Sequence, residues 1–376
     1  MRILICRSNP VAPDPRVEKE ASALVEAGHM VTILAWDRTA KIAAQEEQNG
    51  ISIHRLAIRS DFGKGLRNLP ALLRWQWGLL KWLRRHRREY DAVHACDFDT
   101  VIPCLLAKFL WDKRLVYDIF DFYADHVHPI PAWIRLLIQI LDFWIINRAD
   151  AVILADDSRR NQISTTKPKR LYVIYNTPED VITKYRLLSS SSSDTFRLAY
   201  VGLLQKERGL VEVLSVLKKH PEWTLDIAGF GGDEDVIHKI CMNMPNVTWH
   251  GRVPYERALK LSACADVLFA TYDPAIPNHR YSSPNKLFEA MMLGKPIIVS
   301  HGTNIDRIVL DHQCGIVIPY GDINKLEDAF LQLANDHLLR KKLGNNGRKA
   351  YETFYNWDIM KTRLIGLYSQ ISAEHA

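Results

Sequence analysis

Short apolar runs along this chain alternate with stretches whose apolar residues recur every three or four positions. "RILIC", Arg2 to Cys6, reads as a buried first strand and "PVAPDPR" as the loop after it. In "VEKEASALVEAG", Val17, Ala21, Leu24 and Val25 fall at helical spacing and Gly28 stops the helix. "MVTILAW" and "ISIHRLAI" predict two more strands, and "DAVHAC", "LVYDIF", "DAVILA" and "RLYVIYN" predict the rest of the series. Strands separated by helices call for βαβ units on a parallel sheet.

The series breaks at "LLSSSSSDT", Leu187 to Thr195. A serine run has no apolar surface to bury, so it reads as a linker. A second alternation follows, from "FRLAYVG" through "WTLDIAG", "VTWHG" and "DVLFAT" to "GIVIPYG". No internal repeat is visible. The expected fold class is α/β, with two Rossmann-like doubly wound domains whose parallel sheets face an interdomain cleft. Residues 1–186 form the first domain, 187–195 a linker and 196–352 the second domain. A last helix over 353–376 is expected to pack back on the first. In such folds ligands sit outside the carboxyl ends of the strands, so functional residues belong in the loops after strands.

Composition narrows the class. Of 376 residues, 47% are hydrophobic and 24% charged, as in a folded globular chain. The net charge of +6 suits anionic ligands or membrane surfaces and is too small to argue for nucleic acid. Cys6, Cys96, Cys104, Cys241, Cys264 and Cys314 include no Cys-x-x-Cys pair, so neither a zinc site nor a disulfide framework is indicated. They read as reduced thiols of a cytosolic protein. "MRILICRSNP" is too short an apolar run for a signal peptide.

Three loops of the second half carry chemistry. In "YVGLLQKERGL", Gly202 lets the backbone turn, and Lys206 and Arg208 offer cations, Arg with a planar donor fork that suits phosphate. In "LDIAGFGGDED", Phe230 and Gly231 lie in a glycine cluster that serves either as a plain turn or as a close approach to a ligand. In "RYSSPNKLFEAMMLGKPIIVS", Ser283 or Asn285 caps a helix after Pro284, and Lys286 adds charge at a helix end that favours anions. Glu289, about one turn in, is placed to accept hydrogen bonds from vicinal sugar hydroxyls. Phosphates plus a ribose make a nucleotide site; an ordinary capped helix is the plainer alternative.

These segments, together with "HGRVPYERAL", "ADVLFATYDP", "DPRVEKEASALVEAGHMVTIL", "VHACDFDT" and "VYDIFDFYAD", resemble the GT-B fold glycosyltransferases of the family 4 type over nearly the whole chain. The resemblance implies retaining sugar transfer from a nucleotide-diphosphate sugar, a UDP- or GDP-sugar, with no metal and no cofactor. The protein must then stabilise the leaving diphosphate itself. Gly202, Lys206, Arg208, Phe230, Gly231, Ser283, Asn285, Lys286 and Leu287 match the donor-binding segments, Glu289 the acid that binds the ribose, and Arg252 and Val253 the segment lining the base. Asp121, Tyr281 and Glu289 are the catalytic candidates. Asp14, Arg16, Asp97, Asp125 and His126 are the acceptor-side candidates, although Asp14 and Arg16 serve equally as caps of the following helix.

The chain departs from the pattern at several positions. The family's acid pair is Glu, seven residues, Glu, and its first member is replaced by Tyr281. Its frequent Arg after the first glycine is Leu203, and its histidine in the Asp-x-His segment is Phe120. These departures keep a sugar-nucleotide epimerase and a non-catalytic nucleotide-binding subunit as alternatives.

Two stretches point to a lipid surface. Phe62–Asp91 sets Trp75, Trp77 and Trp82 among leucines and the cations Lys64, Arg67, Arg74, Lys81, Arg84, Arg85, Arg87 and Arg88. A basic amphipathic helix with tryptophan lies on an anionic bilayer. "IPAWIRLLIQILDFWIINRAD" is very apolar, but Arg135, Gln139 and Asp142 interrupt it, so it is not expected to span. The plainer alternative for both is a core helix with a solvated basic face. The expected location is cytoplasmic, peripheral on the inner face of the membrane, with a glycan or a polyprenyl- or lipid-linked acceptor and no nucleic acid.

Overall fold

The computed structural model describes residues 1–60, 68–123, 131–185, 195–281 and 283–374. The chain divides into two compact units, Met1–Tyr175 with Met360–Ala376, and Asn176–Ile359. It leaves the first unit at Tyr175, ahead of the serine run, most of which lies outside the described residues.

The first unit is built on an eight-stranded sheet ordered β3-β4-β2-β1-β5-β6-β7-β8. Its strands are β1 (Arg2–Arg7), β2 (Met30–Asp37), β3 (Gln45–Gln48), β4 (Ile51–Ala57), β5 (Ala92–Cys96), β6 (Arg114–Ile119), β7 (Ala151–Leu154) and β8 (Leu171–Val173). All pairings are parallel except β3 with β4. That edge hairpin adds one antiparallel strand to the expected parallel series. Its turn is Asn49-Gly50, with φ of 53° and 76°, the left-handed pair that a two-residue hairpin needs.

Helix α1 (Pro15–Glu26) starts where Asp14 accepts from the Val17 amide, with Pro15 in the first position. Helices α2 (Leu69–Arg85), α3 (Phe98–Trp111) and α4 (Ala132–Ile146) share one core with Leu4, Cys6, Leu34, Trp36, Val93 and Ala95. Alternation along a strand turns His94 to the opposite face from Val93 and Ala95. There its Nδ1 lies 3.0 Å from the Tyr368 hydroxyl, on a terminal helix that belongs to this unit from Met360 onward.

The second unit has a six-stranded, all-parallel sheet ordered β11-β10-β9-β12-β13-β14. Its strands are β9 (Arg197–Leu203), β10 (Thr224–Phe230), β11 (Val247–Gly251), β12 (Val267–Ala270), β13 (Ile297–Ser300) and β14 (Gly315–Ile318). Around it run α5 (Leu210–Lys219), α6 (Glu234–Cys241), α7 (Tyr255–Cys264), α8 (Asn285–Leu293), α9 (Ile305–His312), α10 (Ile323–Asn335) and α11 (His337–Ala350). The terminal helix, α12, spans Trp357–Ala373. Leu210, Val213, Leu214 and Leu217 of α5 and Leu326, Phe330 and Leu333 of α10 fill the core against Leu198, Tyr200, Leu225 and Ile227. Helix α8 is buried along Lys286–Leu293 and ends at Gly294 with φ 65°.

Candidate functional site

At the carboxyl ends of β9 and β10 the backbone itself limits the side chains. A Cβ on Gly229 would stand 1.8 Å from the Gly202 carbonyl oxygen, and one on Gly231 2.5 Å from the Leu204 carbonyl oxygen. The Leu204 amide donates to the Phe230 carbonyl at 2.9 Å, so the two loops run side by side. Gly209, at φ 71°, turns the β9 loop into α5, and a Cβ there would meet Thr271 Oγ1 at 2.2 Å. This turn presents Arg208. Its Nε donates to Gln205 Oε1 at 2.9 Å, and its guanidinium lies 4.7 Å over the Tyr272 ring. The Lys206 amide donates to Asp233 of the neighbouring loop at 2.9 Å.

From the third loop, Lys286 reaches back beneath Gly202. A Cβ on Gly202 would come within 3.1 Å of Lys286 Nζ. That Nζ is buried, has no hydrogen-bond partner among the described residues, and lies 3.2 Å over the Tyr200 ring. Burial first, then the nearby Arg208 charge, pulls the Lys286 ammonium well below the ordinary lysine range, and Glu289 opposes this. The side chain of Leu203 cannot supply the cation that the family's arginine would; Lys286 puts charge beside the same glycine from another element.

Helix α8 begins differently from expectation. Its cap is Pro284 and no side chain closes it, which corrects the capping role given to Ser283 or Asn285. Proline has no N–H or polar side chain to offer the first turn, while Ser283 Oγ is buried without a partner. Leu287 is fully buried, and its amide donates to the Pro284 carbonyl at 3.1 Å. Glu289 is 7% exposed and its Oε1 accepts from the Tyr255 hydroxyl at 3.0 Å. Arg252 stacks 4.6 Å over the exposed Phe230 ring, with Val253 beside it in the chain at the start of α7. Tyr281 follows a short helical turn, Pro277–Arg280, and Arg280 lies 5.8 Å over its ring.

In the first unit the acceptor-side candidates separate into structural and accessible groups. Arg16 is buried, with Nη2 at 2.9 and 3.0 Å from the two Asp118 oxygens and Nε 3.1 Å from Glu20. Asp14 caps α1 and takes hydrogen bonds from Arg7 and Asn9 at 2.9 and 2.7 Å. Both charges are buried and paired, as a buried charge must be to hold its place. Asp97 binds Arg7 at 2.5 Å and accepts from the Phe120 and Asp121 amides. Burial outweighs Arg7 and raises its carboxyl to about 6. Asp121 is half-exposed and pairs with Arg159 at 2.6 Å. Phe120 is held between guanidiniums, 4.3 Å from Arg7 and 4.5 Å from Arg16. Asp125 and His126 lie outside the described residues.

Sequence reading missed Tyr200, Tyr255 and Tyr272. Their hydroxyls and rings look like ordinary strand and helix residues until the fold brings them under Lys286, Glu289 and Arg208.

The profile of the family described as Glycosyl transferases group 1 matches residues 184–350, and that of the Glycosyl transferase 4-like domain matches residues 12–177. The capsular polysaccharide biosynthesis glycosyltransferase CapM of Staphylococcus aureus is 24% identical over 203 residues, 48% of each chain. The GDP-mannose-dependent monoacylated alpha-(1-6)-phosphatidylinositol monomannoside mannosyltransferase of Corynebacterium glutamicum is 27% identical over 157 residues, 40% of each. The chain spans about half the length of the curated relatives it matches. The solved sucrose-phosphate synthase of Thermosynechococcus elongatus superimposes over the full length of both chains, with a TM-score of 0.81 at 17% identity. With both halves matched by profiles of one enzyme class and both units built as parallel-sheet α/β domains, the chain belongs to the group 1, family 4-type glycosyltransferases of the GT-B fold.

Proposed function

We propose that this protein is a retaining glycosyltransferase that moves a sugar from a UDP- or GDP-sugar to a glycan or lipid-linked acceptor. The reaction belongs to cell-surface polysaccharide or glycolipid synthesis, on the cytoplasmic face of a membrane. The observation that carries the reading is the arrangement at the start of α8. Two cations from different loops, Arg208 and Lys286, flank a helix end with no side-chain cap, and the buried carboxylate of Glu289 lies one turn in. The cations and helix-end amides suit a diphosphate, and Glu289 suits ribose hydroxyls. A leaving diphosphate so held needs no metal to carry its charge. Acceptor work would fall to the first unit, where Asp121 is the most accessible of the described acid candidates.

A thermal-shift panel of UDP, GDP, ADP and their sugars tests the reading, because a ligand that binds only the native state raises the melting point by mass action. One nucleotide series should raise it, and Glu289→Ala should abolish the shift. No response to any nucleotide overturns the reading. Tyr281, in place of an acid, favours one second reading, a nucleotide-binding subunit without transferase chemistry. That reading gains if nucleotide binds while no donor is hydrolysed or transferred across a panel of acceptors.

A further inference from the structure

Helix α4 is strongly apolar, with Arg135, Gln139 and Asp142 as its only polar residues, yet the fold buries only one of its sides. Asp142, Ile145 and Ile146 are buried, and Ile138 and Phe143 pack against the same core. The opposite stripe, Trp133, Leu136, Leu137, Ile140, Leu141 and Trp144, faces solvent, with Trp133 64% and Ile140 56% exposed. Its spacing follows the helical period, so the exposure is a continuous face rather than scattered residues. A large uncovered apolar face marks an interaction surface.

The stripe continues onto neighbouring helices. The Phe109 ring of α3 lies 6.4 Å from Trp144, and Leu106 and Leu110 are exposed beside it. Helix α2 is tied to α3, since Trp75 Nε1 and Gln76 Nε2 donate to the Asp99 carbonyl at 2.9 and 2.5 Å. Its outer side shows Leu69, Leu73 and Trp77, one turn apart, then the exposed Lys81, Arg84 and Arg85; past its end the exposed Arg88 and Glu89 follow. Arg148 lies 4.3 Å over Trp144 at the far rim. The only acids on the three helices are Asp99 and Asp142, and neither is exposed.

We propose that the outer face of α2, α3 and α4 is a docking surface for an anionic lipid bilayer. The α4 stripe enters the boundary between headgroups and acyl chains, and the α2 arginines sit over the headgroups. The charge pattern selects this occupant. Two-fold pairing of this face with a second copy would repeat the same cationic rim on both sides, whereas anionic headgroups complement it. Tryptophans at the edges of an apolar stripe suit the same boundary. No helix among the described residues is long and apolar enough to cross a membrane, so α4 lies in the surface plane. The structure also corrects which residues drive contact. Trp75 is core, so α2 supplies mainly charge and α4 most of the apolar area. The inference gives the lipid-linked acceptor of the reading above a place to be met, but it stands on the exposed face alone.

The test is co-sedimentation of the full chain with phosphatidylcholine vesicles and with 7:3 phosphatidylcholine–phosphatidylglycerol vesicles, without nucleotide. The wild type should pellet with the mixed vesicles. Leu137→Gln combined with Ile140→Gln, both on the exposed stripe, should lower partitioning at least tenfold with an unchanged melting point. Arg84→Ser with Arg85→Ser should weaken binding to the mixed vesicles while leaving residual binding to phosphatidylcholine unchanged. Wild type that stays in the supernatant, or stripe substitutions without effect, overturns the proposal. Wild type that fails to pellet but is dimeric, and becomes monomeric in the stripe variant, overturns it in favour of a second copy. Because no nucleotide is present, failure here leaves the donor-site reading untouched, and failure of nucleotide binding leaves this one untouched.

Discussion

Lys286 Nζ lies 3.2 Å over the ring of Tyr200, buried and without a hydrogen-bond partner among the described residues. The groups facing it are Arg208 and Glu289, with the rings of Tyr200 and Tyr272 around it. Burial and Arg208 depress its pKa, so the unfolded chain holds the proton more tightly than the native one. Stability contributed by this group therefore rises with pH, from the depressed native value up to the ordinary lysine range. A bound diphosphate reverses the effect by favouring the ammonium, so nucleotide binding should take up protons at Lys286. Calorimetry in two buffers of different ionisation enthalpy should show a larger proton uptake for wild type than for Lys286→Met. Equal uptake in both would remove Lys286 from diphosphate binding.

Tyr255 holds one oxygen of Glu289 through its hydroxyl at 3.0 Å. Tyr255→Phe should weaken nucleotide affinity by about three- to tenfold, the scale of one hydrogen bond. The loss should shrink when the ribose lacks its 2′ and 3′ hydroxyls. If full and dideoxy nucleotides lose equally, Tyr255 does not act through the ribose acid.

Gly209→Ala should be costly. The added Cβ would stand 2.2 Å from Thr271 Oγ1, at a φ of 71°. A loss of about 1–3 kcal/mol by denaturant unfolding is expected, together with weaker nucleotide binding as Arg208 shifts. Gly232, where nothing lies within 4 Å of an added Cβ, should accept alanine with little change. Similar losses at both positions would contradict the packing argument.

Asp142 accepts from the Tyr117 hydroxyl at 2.8 Å in the core under α4, and burial raises its carboxyl to about 7. Its ordinary value is about 3.9, so between the two the native state holds the proton and the unfolded state does not. The stabilising contribution is complete below about pH 4 and is lost as pH rises through about 7. Asp142→Asn should flatten the fall in melting temperature across that window. A variant with the wild-type slope would place the titration elsewhere.

The alternation of apolar runs was enough to read most of both sheets and the loops that follow their strands. Strand and helix periods are local properties of backbone geometry. Gly202, Gly231 and Glu289 could be singled out because residue type at a loop or helix end is a local signal. The antiparallel edge hairpin was signalled by Asn49-Gly50, yet its strand "QEEQ" has no apolar alternation to reveal it.

What only the tertiary structure decided is which groups share a partner and which faces are covered. Sequence left Arg16 and Asp14 either facing a ligand or capping the next helix; the fold pairs Arg16 with Asp118, 102 residues away, and Asp14 with Arg7. The tyrosines under Lys286, Arg208 and Glu289 come from three separate segments, and no local pattern encodes that meeting. Trp75 and Trp77 are two residues apart in one helix, but one is core and the other is 70% exposed. Sequence set that α4 carries large apolar residues on more than one of its sides. Only the packing of α3 and the sheet against one of those sides shows that the other is left open.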